Sequence, residues 1–326
     1  MEKVTKVADH EKLVKLLTVA LEHEWAVSFE YIFHAYSMPK GTHFYQDPVL
    51  GQKTDVRAQT IQIGIDEMYH ALQLGLVLKK MGVSPSFKTD EVIRYPRIVD
   101  NLKRDKGTED LVTDLYQAAE FPEGRYPEVE NMLWNISADE VRHGRQFQAM
   151  LETMTGEGAG EARCFKPDPQ AEQKEDVRLL HELTRMENEV VHRYLYYVFL
   201  FSEHQDLSQR LFKNSIDHMR HWDKNAGMLV KLGSVLRLEN AELRQDGSER
   251  SVKPMPGLYP GTDRRSALET LIPAEDRLIA LYEKAAGLVP PGDIRGQLSF
   301  HLAQNREHRF TQDSLLANAL RIKGLK

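Results

Sequence analysis

Residues 63–78 read Ile-Gly-Ile-Asp-Glu-Met-Tyr-His-Ala-Leu-Gln-Leu-Gly-Leu-Val-Leu. Ile63, Glu67, His70, Leu74, Val77 and Met81 recur at spacings of three and four and so share one helical face. That face is apolar at both ends and ionisable in the middle. A bundle helix turns such a stripe into the core, where an unpartnered carboxylate is expensive. Glu67 and His70, three apart, therefore call for a shared cation or partner.

Two other segments carry the same interruption. One stripe is Leu13, Leu17, Ala20, Glu24, Val27, Tyr31 and His34; the other is Val129, Leu133, Ile136, Glu140, His143, Phe147 and Met150. A single Glu-x-x-His arises by chance in a chain of this composition, and Glu189-x-x-His192 is such a copy. Two copies centred on apolar stripes, with a Glu from a third helix, form a ligand set for divalent metal, and imidazole suits iron. Asp66 and Asp139 each precede a ligand Glu. From there each reaches the second ring N–H of a His ligand on the other helix; the plain alternative is a solvent-facing Asp.

Helical periodicity dominates the rest, and strand-like alternation is scarce, so the sequence predicts an all-α protein. Helices are expected over 11–37, 54–82, 108–121 and 127–155, then over 175–202, 207–233, 266–286 and 293–320. Pro127 suits a first helical turn, and Pro273 predicts a kink or a later start. The second half repeats the plan of the first. Glu22-His23-Glu24 aligns with Glu187-Asn188-Glu189, Asp66-Glu67 with Asp217-His218, His70 with His221, Glu109 with Glu275 and His143 with His308. The organisation read from this is a helical bundle over 1–160, a Gly/Pro-rich linker over 161–174 and a second bundle over 175–326.

The segment from Leu17 to Ala35, with Glu24, Tyr31 and His34, resembles the first helix of bacterioferritins. Ile65 to His70 is similar to their second-helix metal motif, and Tyr126 through Glu140 and His143 resembles the last bundle helix of rubrerythrins. The resemblance is to the ferritin-like di-iron carboxylate superfamily. It implies two tandem ferritin-like four-helix bundles. It also implies two iron ions, or a manganese/iron pair, held by Glu24, Glu67, His70, Glu140, His143 and one third-helix Glu. For that last ligand Glu109 is level with Glu140 across the turn at Gly124; Glu120, about three turns further on the same face, is its rival. Met68 and Met219 stand where bacterioferritins place a haem-ligating Met; here a packing role is read instead of haem.

In the second half Glu67 is replaced by His218 and Glu140 by Asn305. Glu189, His218, His221, Glu275 and His308 form a candidate second site. It reads as a structural half held by buried hydrogen bonds, as a single-metal site, or as a polar ligand pocket.

The chain has 326 residues, a net charge of −6 and one cysteine, Cys164, with a mean hydropathy of −0.50. No basic surface points to nucleic acid. No apolar run is long enough for a membrane. Met1 to Lys15 is charged throughout and predicts no signal peptide, so a cytoplasmic location is expected. One cysteine excludes an internal disulfide and a rubredoxin-type four-thiolate site. A fused pair of unequal bundles makes a poor storage-cage subunit. The expected function is therefore a non-haem di-iron oxidase or oxygenase that activates O2 on a small organic substrate, served by an electron donor. Tyr31 acts as a donor to the centre or as an oxidisable side chain. The loop 38–53, with Gly41, His43, Phe44 and Tyr45, is a substrate wall or an ordinary crossover. A ferroxidase without organic substrate and a non-catalytic scaffold are the competing functions. A symmetric homodimer is the default assembly.

Overall fold

The computed structural model describes residues 6–89, 91–156, 162–237, 241–251 and 255–323. Met1 to Thr5 of the charged N-terminal segment and residue 161 of the expected linker lie outside them. The described chain is mostly helical. Its eight α-helices are α1 (His10–Ser37), α2 (Val56–Lys80), α3 (Ile98–Gln117), α4 (Pro127–Thr155), α5 (Glu175–Leu200), α6 (Gln205–Lys231), α7 (Arg264–Leu288) and α8 (Asp293–Lys323). No helix among the described residues is long and apolar enough to cross a membrane. The chain divides into two compact units, Met1–Phe165 with Leu238–Gly257, and Lys166–Arg237 with Leu258–Lys326.

In the first unit α1 packs along α2 and α3 along α4, with further contacts from α2 to α4 and from α1 to α3. In the second, α5 pairs with α6 and α7 with α8, joined by α5–α7 and α6–α8 contacts. Local chemistry sets the ends. Asp9 and Asp55 cap α1 and α2 by accepting from the backbone N–H of Lys12 and Ala58, each at 2.9 Å. Asp263 and Ser266 form a capping box at α7, which begins at Arg264, ahead of Pro273. Gly82, at φ 78°, ends α2 in the left-handed conformation that glycine tolerates.

Gly64 brings α1 and α2 close beside the ionisable stripe. A Cβ there would lie 2.9 Å from the backbone oxygen of Ser28 and 3.0 Å from Ile32 Cγ1. Gly64→Ala is expected to cost about 1–3 kcal/mol through overpacking. A lowered urea-unfolding midpoint would show this; an unchanged one would mean that the helices part freely at that point.

Three features differ from the sequence reading. α3 starts at Ile98, well before the expected Thr108, because Ile98, Leu102, Asp105, Glu109 and Val112 continue one buried stripe straight through Gly107. It ends at Gln117, before Glu120. Short strands are also present. The loop 38–53 contains β1 (Phe44–Gln46), which pairs antiparallel with β2 (Lys53–Asp55). Tyr45 from this hairpin is buried in the apolar core with Val27, Tyr31 and Phe147. Asp47 accepts from Tyr45 Oη at 2.7 Å and from Gln146 Nε2 of α4 at 2.8 Å, so the hairpin is fastened to the helices. Finally, β3 (Ile93–Arg94), β5 (Glu249–Ser251) and β4 (Ala241–Leu243) form an antiparallel sheet in the order β3-β5-β4. The stretch between the expected helices 207–233 and 266–286 thus adds two strands to the first unit. The expected linker is also built in at both ends. Cys164 N–H donates to Pro96 O at 3.0 Å in the first unit, and Asp168 N–H to Gly233 O at 2.7 Å in the second.

Candidate metal centre

Glu24 comes from α1, Glu67 and His70 from α2, Glu109 from α3, and Glu140 and His143 from α4. All six are at most 3% exposed. They form two overlapping groups: Glu24, Glu67, His70 and Glu140, and Glu67, Glu109, Glu140 and His143. Within each group one ligand atom per residue lies within 4.8 Å of all the others. Glu67 and Glu140 belong to both. His70 Nδ1 faces Glu67 Oε2 at 2.9 Å, Glu140 Oε1 at 3.0 Å and Glu24 Oε2 at 3.5 Å. His143 Nδ1 faces Glu67 Oε1 at 2.8 Å and Glu109 Oε2 at 3.6 Å.

These atoms converge without satisfying one another. Although His143 Nδ1 is close to Glu67, the contact lacks hydrogen-bond direction. That nitrogen, Glu24 Oε2, Glu67 Oε1, Glu140 Oε1 and both Glu109 oxygens are buried without a hydrogen-bond partner. Buried polar atoms are nearly always paired. Six such atoms aimed at one centre fit cations, and four carboxylates carry the charge of two divalent ions.

The imidazoles are oriented from outside. His70 Nε2 lies 3.4 Å from Asp139 Oδ2 and His143 Nε2 3.3 Å from Asp66 Oδ2. Each Asp thus serves the His of the opposite helix and leaves Nδ1 for the centre. Arg142 Nη2 donates to Asp66 Oδ2 at 3.2 Å and to Asp139 Oδ1 at 3.0 Å, fixing the pair. Asp66→Asn and Asp139→Asn are each expected to weaken metal affinity about 10–100-fold at unchanged stoichiometry. Anaerobic calorimetric titration reads this, and wild-type affinity in both would remove the orienting role.

The electrostatics are those of a site short of positive charge. Burial, then the charge of Glu109, pushes Glu67 up to about 7 against the pull of His143 and His70. Burial and the charges of Glu67, Glu24 and Glu109 hold Glu140 well above the carboxylate range. Burial also raises Glu24, but the nearby His70, 3.5 Å from Oε2, outweighs it and brings Glu24 down to about 2. Burial would lower both histidines; the charge of Glu67 and their carboxylate hydrogen bonds raise them instead.

Glu120 is exposed and follows the end of α3, paired through its backbone with Lys6; it is not at the centre. Tyr31 is fully buried. Its hydroxyl donates to Asp105 O at 3.4 Å, and burial with the charges of Glu109, Glu67 and Asp105 pushes its phenol well up. His34 lies off the centre, with Nδ1 2.7 Å from Asp105 Oδ1 and Nε2 2.7 Å from Ile93 O. Tyr116 was not foreseen. It is buried on α3 and donates to Glu24 Oε1; its spacing of seven from Glu109 was the available signal.

In the second unit the α5 carboxylate is Glu187, fully buried, and not Glu189. Glu189 is partly exposed and paired with Arg193 and Arg185. Glu187 and Glu275 flank His218, with His221 and His308 beside them. Tyr282 donates to Glu187 Oε1 at 2.6 Å and Tyr194 to Glu275 Oε1 at 2.6 Å. The Tyr282 contact repeats Tyr116 on Glu24. No protein-family model, curated protein or solved structure matches the chain.

Proposed function

We propose that each unit is a ferritin-like four-helix bundle. We further propose that the first holds two iron ions and serves an oxidase or oxygenase reaction of O2 with a small organic molecule. The observation that carries this reading is the sharing of Glu67 and Glu140 between two four-residue groups. Glu67 and Glu140 would each serve both positions of a pair of ions, a sharing that a single ion would not require. Glu24 and His70 would complete one position, Glu109 and His143 the other. Bound iron in such a carboxylate-rich pair supplies oxidation by O2.

The chain's own residues do the remaining work. Asp139 and Asp66 hold the imidazoles in the ligating tautomer. Tyr116 holds Glu24 by one oxygen, leaving Oε2 free for a cation. Near-complete burial of all six ligands excludes bulk water. The buried cluster of Tyr31, Phe147, Val27 and Tyr45 supplies an apolar wall for an organic substrate.

Anaerobic Fe(II) titration of metal-free protein, followed by O2 and an optical spectrum, tests the reading. Two irons taken up by the first unit, with a new near-ultraviolet band after O2, support it. Continuous Fe(II) oxidation with mineral formation and no reductant would make the chain a ferroxidase. No uptake would leave a scaffold.

A further inference from the structure

We propose that the second unit binds one divalent first-row metal ion, of the iron or zinc class, through Glu275, His218 Nε2 and His308 Nδ1. The site is separate from the first centre and does not rest on the reading of that centre.

The second unit has two groups able to hold an ion, Glu187 with His218 and His221, and His218 with Glu275 and His308, and it closes the first with its own hydrogen bonds. At the filled position, both Glu187 oxygens are taken. Oε2 accepts from His218 Nδ1 at 2.6 Å; Oε1 accepts from Tyr282 and faces His221 Nδ1 at 3.2 Å. The outer nitrogen of His221 is engaged by Gln304 Oε1 at 3.0 Å. The ligating atoms of Glu187 and His221 and the Nδ1 of His218 are thus all engaged.

At the other position Glu275 Oε1 accepts from Tyr194 and faces His218 Nε2, but two ligating atoms are left over. Glu275 Oε2 and His308 Nδ1 are buried with no hydrogen-bond partner. His218 Nε2 lies 2.9 Å, and His308 Nδ1 3.8 Å, from Glu275 Oε1. Two ligands each about 2.1 Å from one ion lie about 3.0–3.4 Å apart, between those two separations. Two imidazoles and one carboxylate are a recurrent donor set for such metals, Fe(II) in particular.

The outer contacts match those of ligating histidines. His218 Nδ1 is held by Glu187, and His308 Nε2 lies 3.4 Å from Asp217 Oδ2. Each ligand thus turns one nitrogen to a carboxylate and the other inward, as metal-bound histidines do. His308 and Asp217 repeat His143 and Asp66 of the first unit. Asn305 stands in the place of Glu140 and keeps a buried, unpartnered Oδ1. In the metal-free chain His218 links both carboxylates; ion binding releases its Nε2 proton to solvent.

The test is elemental analysis of the full chain after anaerobic Fe(II) or Zn(II) loading, compared with His308→Ala and Glu187→Gln. Wild type is expected to hold one ion that His308→Ala loses, whatever number the first centre holds. Glu187→Gln should keep that ion with affinity lowered about 10–100-fold, because Glu187 orients His218 without touching metal. An ion count unchanged in His308→Ala overturns the proposal. Circular dichroism separates loss of the ion from loss of fold. If His308→Ala unfolds, the same count on Glu275→Gln decides: one ion fewer than wild type supports the site, and an unchanged count overturns it.

Discussion

Glu67→Ala is expected to remove both ions from the first unit at once. Glu67 lies in both four-residue groups, with Oε2 2.9 Å from His70 Nδ1 and Oε1 2.8 Å from His143 Nδ1. Its loss takes one donor from each position and a quarter of the carboxylate charge that holds two cations. Glu24→Ala and Glu109→Ala each touch one group, so each should lose one ion more readily than the other. The Glu67→Ala chain is expected to stay folded, since the buried carboxylates repel one another when no metal is present. Glu120→Ala is the control and should bind as wild type does. Elemental analysis after anaerobic loading, with oxygen uptake measured in parallel, reads the result. Two ions retained by Glu67→Ala would end the bridging assignment and with it the di-metal reading.

What the sequence disclosed and what it hid have physical causes. The ligand types were legible because a charged residue in an apolar stripe is costly and therefore conspicuous. Glu24, Glu67, His70, Glu140 and His143 all interrupt such stripes, and the structure gathers them. Glu109 was harder, because α3 is mostly polar on its surface and Gly107 looks like a helix start. Only the buried run from Ile98 to Val112 shows that the helix passes through it. Glu120 lies on an extension of the Glu109 face, but the helix ends first.

The second unit misled for a different reason. Glu22 and Glu24 match Glu187 and Glu189 equally well as letters, and the two-residue spacing turns one pair to opposite sides of the helix. Aligning Tyr31 with Tyr194 would have paired Glu24 with Glu187. The strands escaped because each spans two or three residues, too short for alternation to register.

The metal-free first unit is expected to lose stability as pH rises above about 4.5, and metal should restore it most at high pH. Glu67 has a folded pKa of about 7, above its unfolded value of 4.5, and Glu140 is raised further. A raised group stabilises fully below its unfolded pKa, and that contribution disappears as pH rises through the folded value. His70 and His143, also raised, act in the same direction above 6.5. Glu24, held down to about 2, acts only below 4.5 and leaves this window alone. Each pKa unit is worth about 1.4 kcal/mol, so the loss between pH 4.5 and 7 amounts to a few kcal/mol. Buried neutral histidines of the second unit, His192, His301 and His308, act oppositely up to 6.5. The informative quantity is therefore the thermal-midpoint gap between loaded and metal-free protein, compared with the gap for Glu67→Ala. Two divalent ions neutralise the four carboxylates, so the wild-type gap should widen from pH 5 to pH 8 by several degrees more than the variant's. Scanning calorimetry measures both. A wild-type gap that narrows with pH, or one that the variant reproduces, would show that the four carboxylates are not held together by metal.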